Sequence, residues 1–166
     1  ISLAFQPGIF QINFGKEKLK YIYERTDIFF CNVSEAEKIL GISTLGTNEL
    51  LKRMYKLGPK IVVITDGPKG AYACDGTNAW HQKPYPDPKP PYERTGAGDA
   101  FASTVVVALA LGCDLIAALS WGAVNSMSVV QQVGAQKGLL TRSQIEKYLK
   151  SAPPDFKATK LSWLSF

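Results

Sequence analysis

The apolar positions of the first part of the chain alternate between strand-like runs and a helical pattern. Residues 2–6 and 27–31 are short apolar runs that predict strands, and residues 16–24 between them repeat apolar side chains at helical spacing. Lys60–Thr65 is rich in β-branched residues, which is typical of a strand buried in a parallel sheet. A strand, a helix and a strand in this order predict a β-α-β unit and therefore a parallel sheet.

A helix is predicted to follow the second strand. Ser34 and Glu37 have the spacing of a capping box, and Gly41 is a suitable residue to end the helix. If Ser34 and Glu37 cap the helix, Asn32 and Glu35 remain free to bind a ligand.

The second part of the chain predicts a hairpin, a connector and helices. Residues 71–83 have the pattern of two strands joined by a turn, whereas residues 84–91 contain five prolines and predict an extended connector. Residues 99–111 are almost all small or aliphatic, so we expect a helix that is buried nearly all round. Further helices are expected to begin at Asp114 and Thr141.

Composition sets limits on the class of protein. With 166 residues, 46% of them hydrophobic, the chain is long enough for one globular domain but not for two. The net charge of +5 is dispersed, which favours an anionic small molecule over nucleic acid, and no apolar run has the length of a membrane span. Three widely spaced cysteines and one histidine favour neither a zinc site nor a disulfide framework, so we expect a cytoplasmic protein.

The stretch that ends in Gly96, Ala97, Gly98 and Asp99 predicts an anion site. The pattern predicts a glycine-rich turn that leads directly into the apolar helix, where backbone N–H groups and the helix dipole attract negative charge. A carboxylate at Asp99 would repel an anion. That placement becomes useful if Asp99 accepts a proton while a phosphoryl group is transferred.

Two further polar motifs follow predicted strands. Asn32 and Glu35 come directly after one strand and carry oxygen atoms suited to Mg²⁺, while Thr65, Gly67 and Gly70 follow the next strand. Ligands of α/β sheets bind at the carboxyl ends of the strands, so these loops are expected to line one cleft. Taken singly, the first motif is also compatible with a helix cap and the second with an ordinary turn.

Together these motifs resemble the ribokinase-like (PfkB) family of carbohydrate kinases, in the order expected and over essentially the whole chain. The resemblance implies an α/β fold of three layers built on a parallel sheet. In this view residues 1–166 form a single domain that corresponds to the C-terminal, nucleotide-binding and catalytic half of the family fold, which is incomplete at its N-terminus. The sugar-binding motif and the lid of the family's first half have no counterpart here.

The resemblance also implies roles for individual residues. The anion hole and the catalytic base correspond to Gly96, Ala97, Gly98 and Asp99. The other implied sites are the metal-linked residues Asn32, Glu35, Glu93 and Thr95, and the nucleotide-linked residues Thr65, Gly67, Gly70, Asn125, Gly134 and Ala135. Arg94 stands where the family signature has threonine, and it either reaches a phosphate or points into solvent.

The function implied by the resemblance is transfer of the γ-phosphoryl group of ATP to a hydroxymethyl group on a sugar or sugar-like acceptor. Mg²⁺ and a monovalent cation such as K⁺ are the implied metals. Because the acceptor pocket belongs to the half that is missing, we expect the isolated chain to be inactive, and its open sheet edge favours a homodimer or instability. The alternatives are a non-catalytic nucleotide-binding module and a pyridoxal or hydroxymethylpyrimidine kinase.

Overall fold

A computed structural model describes residues 2–162, and the chain divides into two compact units. The first unit contains residues 2–67, 71–81 and 160–162, and the second contains residues 68–70 and 82–159. Trp163 and Phe166, for which the sequence allowed no assignment, lie outside the described residues. No helix among residues 2–162 is long and apolar enough to cross a membrane.

Six strands form one mixed sheet in the order of the sequence. The strands are β1 (Ala4–Phe5), β2 (Ile28–Asn32), β3 (Ile61–Thr65), β4 (Ala71–Cys74), β5 (Ala79–Gln82) and β6 (Thr159–Lys160). The pairs β1–β2 and β2–β3 are parallel, as the β-α-β pattern predicted, whereas β4 runs antiparallel to β3. The α/β class is therefore confirmed, with a sheet that is only partly parallel.

Four helices belong to the first unit, namely α1 (Ile9–Phe14), α2 (Lys20–Arg25), α3 (Val33–Leu40) and α4 (Thr47–Tyr55). The helix predicted over residues 16–24 begins later than expected, because residues 16–19 form a turn that leads into α2. Helix α1 was not predicted. Its start is held by Gln11, whose side-chain Oε1 accepts a hydrogen bond from the Gly8 backbone N–H at 3.1 Å.

The core of the first unit is built from the strands and from all four of the helices named above, with Ile12 the buried residue of α1. Phe5 of β1, Tyr23 of α2 and Phe29 of β2 form an aromatic cluster with ring centroids 5.5–6.0 Å apart. Burial raises the pKa of Tyr23 to about 12, with a smaller contribution from Cys31. The parallel strands are thus fixed by apolar packing that the sequence pattern anticipated.

Three helices belong to the second unit, namely α5 (Ala97–Ala110), α6 (Leu115–Val129) and α7 (Arg142–Lys150). Helices α5 and α6 pack closely at Gly122, where an added Cβ would lie 2.8 Å from a methyl group of Val105. Helix α5 is not buried all round as predicted, since Val107 is 53% exposed. The predicted cap at Asp114 is confirmed, because its side chain accepts a hydrogen bond from the Ala117 N–H at 2.7 Å.

Candidate functional site

The entry into α5 is a tight turn whose geometry requires glycine. The Arg94 carbonyl accepts a hydrogen bond from the Ala97 N–H at 3.3 Å, and Gly96 between them has φ 79° and ψ −4°. These values define a type II turn with glycine at its third position. Gly96 is also the N-cap of α5, so the turn and the helix start share one residue.

The first turn of α5 exposes the groups that an anion needs. Ala97, Gly98 and Asp99 are its first three residues, and N–H groups at these positions have no partner within the helix. A Cβ added at Gly98 would meet nothing within 4 Å, so open space lies against the backbone there. The Asp99 side chain is exposed on the same turn. Asp99 therefore lies in the first turn of α5, and the binding of an anion beside it stays a prediction.

Two contacts fix this turn against the segment that follows α6. The Glu93 carboxylate accepts a hydrogen bond from the Gly134 backbone N–H. A Cβ added at Gly96 would lie 2.4 Å from the Cβ of Ala135, which shows how closely the two segments approach. The structure thus brings together two motifs that lie far apart in the sequence. The Glu93 side chain serves there as a clamp, with one carboxylate oxygen bound to the backbone.

The side-chain oxygen of Gln131, which precedes Gly134 by three residues, is a buried hydrogen-bond acceptor without a donor among the described residues. Gln131 is 9% exposed, and its Nε2 donates to the Lys89 carbonyl at 3.1 Å and to the Asp87 carboxylate at 3.4 Å. Its Oε1 accepts no hydrogen bond from residues 2–162. Such a buried oxygen normally binds water or a cation. No pattern in the sequence marked this residue, because a glutamine after a helix is usually a surface residue.

Asn125 has a structural role within the second unit. It is 4% exposed, its Nδ2 donates to the Thr104 hydroxyl at 2.7 Å, and its Oδ1 accepts from the Leu140 N–H at 2.9 Å. These bonds connect α5, α6 and the segment that precedes α7. Contact of Asn125 with the nucleotide stays a prediction.

The capping box of α3 is not the predicted one. The helix begins at Val33, so Asn32 is its N-cap, whereas Ser34 and Glu37 lie inside the helix. The Asn32 side-chain Oδ1 accepts from the Glu35 N–H and the Glu35 Oε2 accepts from the Asn32 N–H, both at 2.8 Å. The expectation that Ser34 and Glu37 leave Asn32 and Glu35 free is therefore wrong. One oxygen of each side chain is used to start the helix.

Asn32 and Thr65 lie side by side at the carboxyl ends of β2 and β3, where they are paired in register. The carboxylate of Glu35 adds negative charge at this edge of the sheet. It contributes, after burial, to raising the pKa of the Cys31 thiol well above its usual value. Asn32, Glu35 and Thr65 are thus brought together within the first unit. No group of three His, Cys, Asp or Glu side chains able to hold a metal occurs among residues 2–162.

The loop after β3 needs glycine at two positions. Gly67 begins a short 3₁₀ turn with φ 49°, and Gly70 has φ 95°. A Cβ added at Gly70 would lie 2.1 Å from the Gln82 carbonyl oxygen, so only glycine fits there. These positions have a structural reason for glycine whether or not a nucleotide binds beside them.

Comparison with known proteins gives a family match over most of the chain. The family model described as pfkB family carbohydrate kinase matches residues 7–142. The ATP-dependent 6-phosphofructokinase of Thermoanaerobacterium thermosaccharolyticum is 32% identical over 121 residues, which are 73% of this chain and 36% of that protein.

Solved structures with the same fold cover most of this chain. A nucleoside kinase of Methanocaldococcus jannaschii, described as a member of the ribokinase family, superposes with a TM-score of 0.77 and 25% identity over 90% of this chain and 48% of that one. A putative ribokinase II of E. coli in complex with ATP and Mg²⁺ gives a TM-score of 0.77 at 23% identity, over 90% of this chain and 49% of that one. The fold is therefore ribokinase-like, and the chain spans about half the length of these structures.

We expect Gly96→Ala to lower the free energy of unfolding by at least about 1–2 kcal/mol, the usual cost of a left-handed backbone at a residue with a Cβ. The clash with Ala135 adds to this cost. The matched control is Gly98→Ala, whose new Cβ meets open space and favours the helix. Urea denaturation followed by circular dichroism measures both variants. Equal stability of the two would contradict the turn geometry.

Proposed function

Because the chain belongs to the pfkB family of carbohydrate kinases, we propose that it provides the nucleotide-binding and catalytic part of a sugar kinase. The reaction is transfer of the γ-phosphoryl group of ATP to a hydroxymethyl group of a sugar or sugar-like acceptor. The observation that carries this proposal is the type II turn at Gly96, which starts α5 beside open space with Asp99 in its first turn.

In this proposal the backbone N–H groups at the start of α5, above all that of Gly98, bind the transferring phosphoryl group, while the Ala97 N–H closes the turn on the Arg94 carbonyl. They lie at the positive end of a fourteen-residue helix, where partial charges favour an anion. The clamp from Glu93 to Gly134 keeps the donors in place before the phosphate arrives. Donors that are already oriented stabilise the charge of the transition state without a reorganisation cost during the reaction.

Asp99 is the proposed general base. The acceptor oxygen forms a bond to phosphorus while the bond between phosphorus and the ADP oxygen breaks, and the hydroxyl proton passes to the Asp99 carboxylate. General base catalysis of this kind typically contributes about 10²–10⁴-fold to the rate. The exposure of Asp99 leaves its carboxylate accessible to an acceptor.

Glu35 is the residue of the first unit that best fits Mg²⁺. Its Oε2 is bound to the Asn32 N–H, which fixes the carboxylate, while Oε1 accepts no hydrogen bond from the described residues. Mg²⁺ usually keeps several waters and takes only one or two protein carboxylates, so one oxygen is sufficient. When bound, the metal neutralises charge on the phosphates. Asn32 then acts as the residue that orients Glu35.

A monovalent cation such as K⁺ has candidate ligands in the second unit. Gln131 Oε1 is buried without a donor among residues 2–162, and the carbonyl of the preceding residue, Val130, accepts a hydrogen bond from the Glu93 N–H. The side-chain oxygens of Glu93 and Thr95 are the other proposed ligands. Oxygen ligands of this type suit a hard cation. We propose the cation as a support for the segment that Glu93 clamps.

The nucleotide is proposed to contact the glycine-containing loops at Thr65, Gly67 and Gly70, and the segment at Gly134 and Ala135. Glycines permit close approach of a ligand to the backbone. The proposed location is a reducing compartment such as the cytoplasm, because Cys31, Cys74 and Cys113 are free thiols.

The chain spans 36% of the 6-phosphofructokinase and about half of the solved kinases. Binding of an acceptor by this chain alone therefore needs its own proposal. We propose that the 166-residue chain alone binds MgATP but releases little ADP in response to sugars. Its behaviour alone would then be that of a nucleotide-binding module.

Isothermal calorimetry of the isolated chain with ATP, with and without Mg²⁺, tests the proposed function. We expect binding that depends on Mg²⁺ and is retained in Asp99→Asn, with at most a modest gain in affinity because a negative charge that repels the phosphates is lost. In a polypeptide that joins these residues to the acceptor-binding half of a relative, Asp99→Asn is expected to lower turnover by about 10²–10⁴-fold.

Asp114→Asn is the matched control for Asp99→Asn, because it makes the same change at the start of α6 and asparagine caps a helix equally well. Unaltered turnover in Asp99→Asn would refute its role as base. Failure of the wild-type chain to bind MgATP would refute the proposed function as a whole.

Glu35→Gln separates the metal role of this residue from its capping role. Glutamine can still accept the hydrogen bond from the Asn32 N–H, so the unfolding free energy should change by less than about 0.5 kcal/mol. The Mg²⁺ concentration required for half-maximal ATP binding should rise, because a negative ligand is lost. The control Glu37→Gln lies on the same helix and should leave the Mg²⁺ requirement as it is. An unchanged requirement in Glu35→Gln would remove Glu35 from the metal site.

A further inference from the structure

We propose that Arg94 binds the phosphate chain of the nucleotide through its guanidinium group. This inference rests on the proposed function and adds a residue that the family signature does not supply, since that signature has threonine at the position. Its basis is the placement of Arg94 on the turn that starts α5, the hydrogen bonds that hold that turn, and the lack of a competing partner for the side chain among residues 2–162.

The turn places Arg94 next to the proposed anion site. Arg94 is the first residue of the type II turn and Ala97 is the fourth, and the two are joined by a hydrogen bond of 3.3 Å. The Cα atoms at these two positions of a turn lie less than about 7 Å apart. An arginine side chain that begins so close to the first N–H groups of α5 can reach a group bound by them.

The backbone on both sides of Arg94 is held in place. The Tyr92 and Glu93 N–H groups donate to the Val130 carbonyl at 2.8 Å and 3.4 Å. The Glu93 carboxylate binds the Gly134 N–H, and Gly96 packs against Ala135. Arg94 therefore stands on a fixed segment, which reduces the entropy lost when its side chain binds a ligand.

The guanidinium of Arg94 is exposed and forms no hydrogen bond or ion pair with any residue of the described chain. Arg53 and Arg142, in contrast, each bond to a glutamate four residues away, at 2.7 Å in both cases. The carboxylate of Glu93, the residue before Arg94, is bound to the Gly134 N–H instead. The positive charge is therefore available to a ligand.

Charge balance gives Arg94 a physical purpose. Asp99 puts a negative charge in the first turn of α5, which opposes the binding of a phosphate there. A guanidinium on the adjoining turn offsets this repulsion and binds phosphate oxygens through its planar fork of N–H donors. The ligand class is thus a polyphosphate, and a nucleoside without phosphates is not expected to contact Arg94.

The test compares the affinities of the isolated chain for MgATP, inorganic tripolyphosphate and adenosine, in the wild type and in Arg94→Ala. Loss of a charged hydrogen bond should weaken binding of MgATP and tripolyphosphate at least about tenfold. Adenosine affinity should stay the same, and Arg94→Lys should recover part of the loss because it restores the charge without the fork.

Arg25→Ala is the matched control, since Arg25 is an exposed arginine of α2 that also has no partner among residues 2–162. An equal loss of MgATP affinity in Arg25→Ala would show that only the net charge of the chain matters, and it would overturn the inference. So would an unchanged MgATP affinity in Arg94→Ala, or an equal loss for adenosine. If tripolyphosphate binding depends on Arg94 while ATP binds no better than tripolyphosphate, the role of Arg94 stands and the nucleotide assignment fails.

Discussion

The site in the second unit depends on how the turn before α5 packs against the segment after α6. Gly96 is central to this junction, because its positive φ closes the turn and its missing side chain leaves room for Ala135. Glu93 secures the same junction through the Gly134 N–H. If this junction loosened, the first N–H groups of α5 would lose their fixed direction. The proposed anion site therefore depends on tertiary packing as much as on the helix terminus.

A second feature of the fold is that polar groups serve structure and chemistry together. Asn32 and Glu35 start α3 by satisfying each other's backbone N–H groups. This use fixes the Glu35 carboxylate at the carboxyl end of β2, and its other oxygen is the one proposed to bind Mg²⁺. A cap of this kind positions a charged ligand more precisely than a free side chain would, because its rotamer is already set.

Local patterns were sufficient to predict most of the strands and helices. The β-branched run of β3 and the apolar run of β2 are confirmed, as is the cap at Asp114, because each rests on residues close in sequence. The capping box predicted for α3 was wrong for an identifiable reason. Ser34 with Glu37 and Asn32 with Glu35 have the same spacing, and only the end of β2 decides between them. The contacts of Gly96 with Ala135 and of Asn125 with Thr104 depend on the packing of distant segments, which no local pattern shows.

The central claim is that the N–H groups at the start of α5 bind the phosphates of MgATP. Two-dimensional ¹H–¹⁵N NMR spectra of the chain, recorded during a titration with MgATP, test it most directly. The account predicts that the amide signals of Ala97, Gly98 and Asp99 shift strongly with the nucleotide, and that adenosine leaves them nearly unchanged. If these three signals stay in place while the chain binds MgATP, the phosphates lie elsewhere and the account is contradicted.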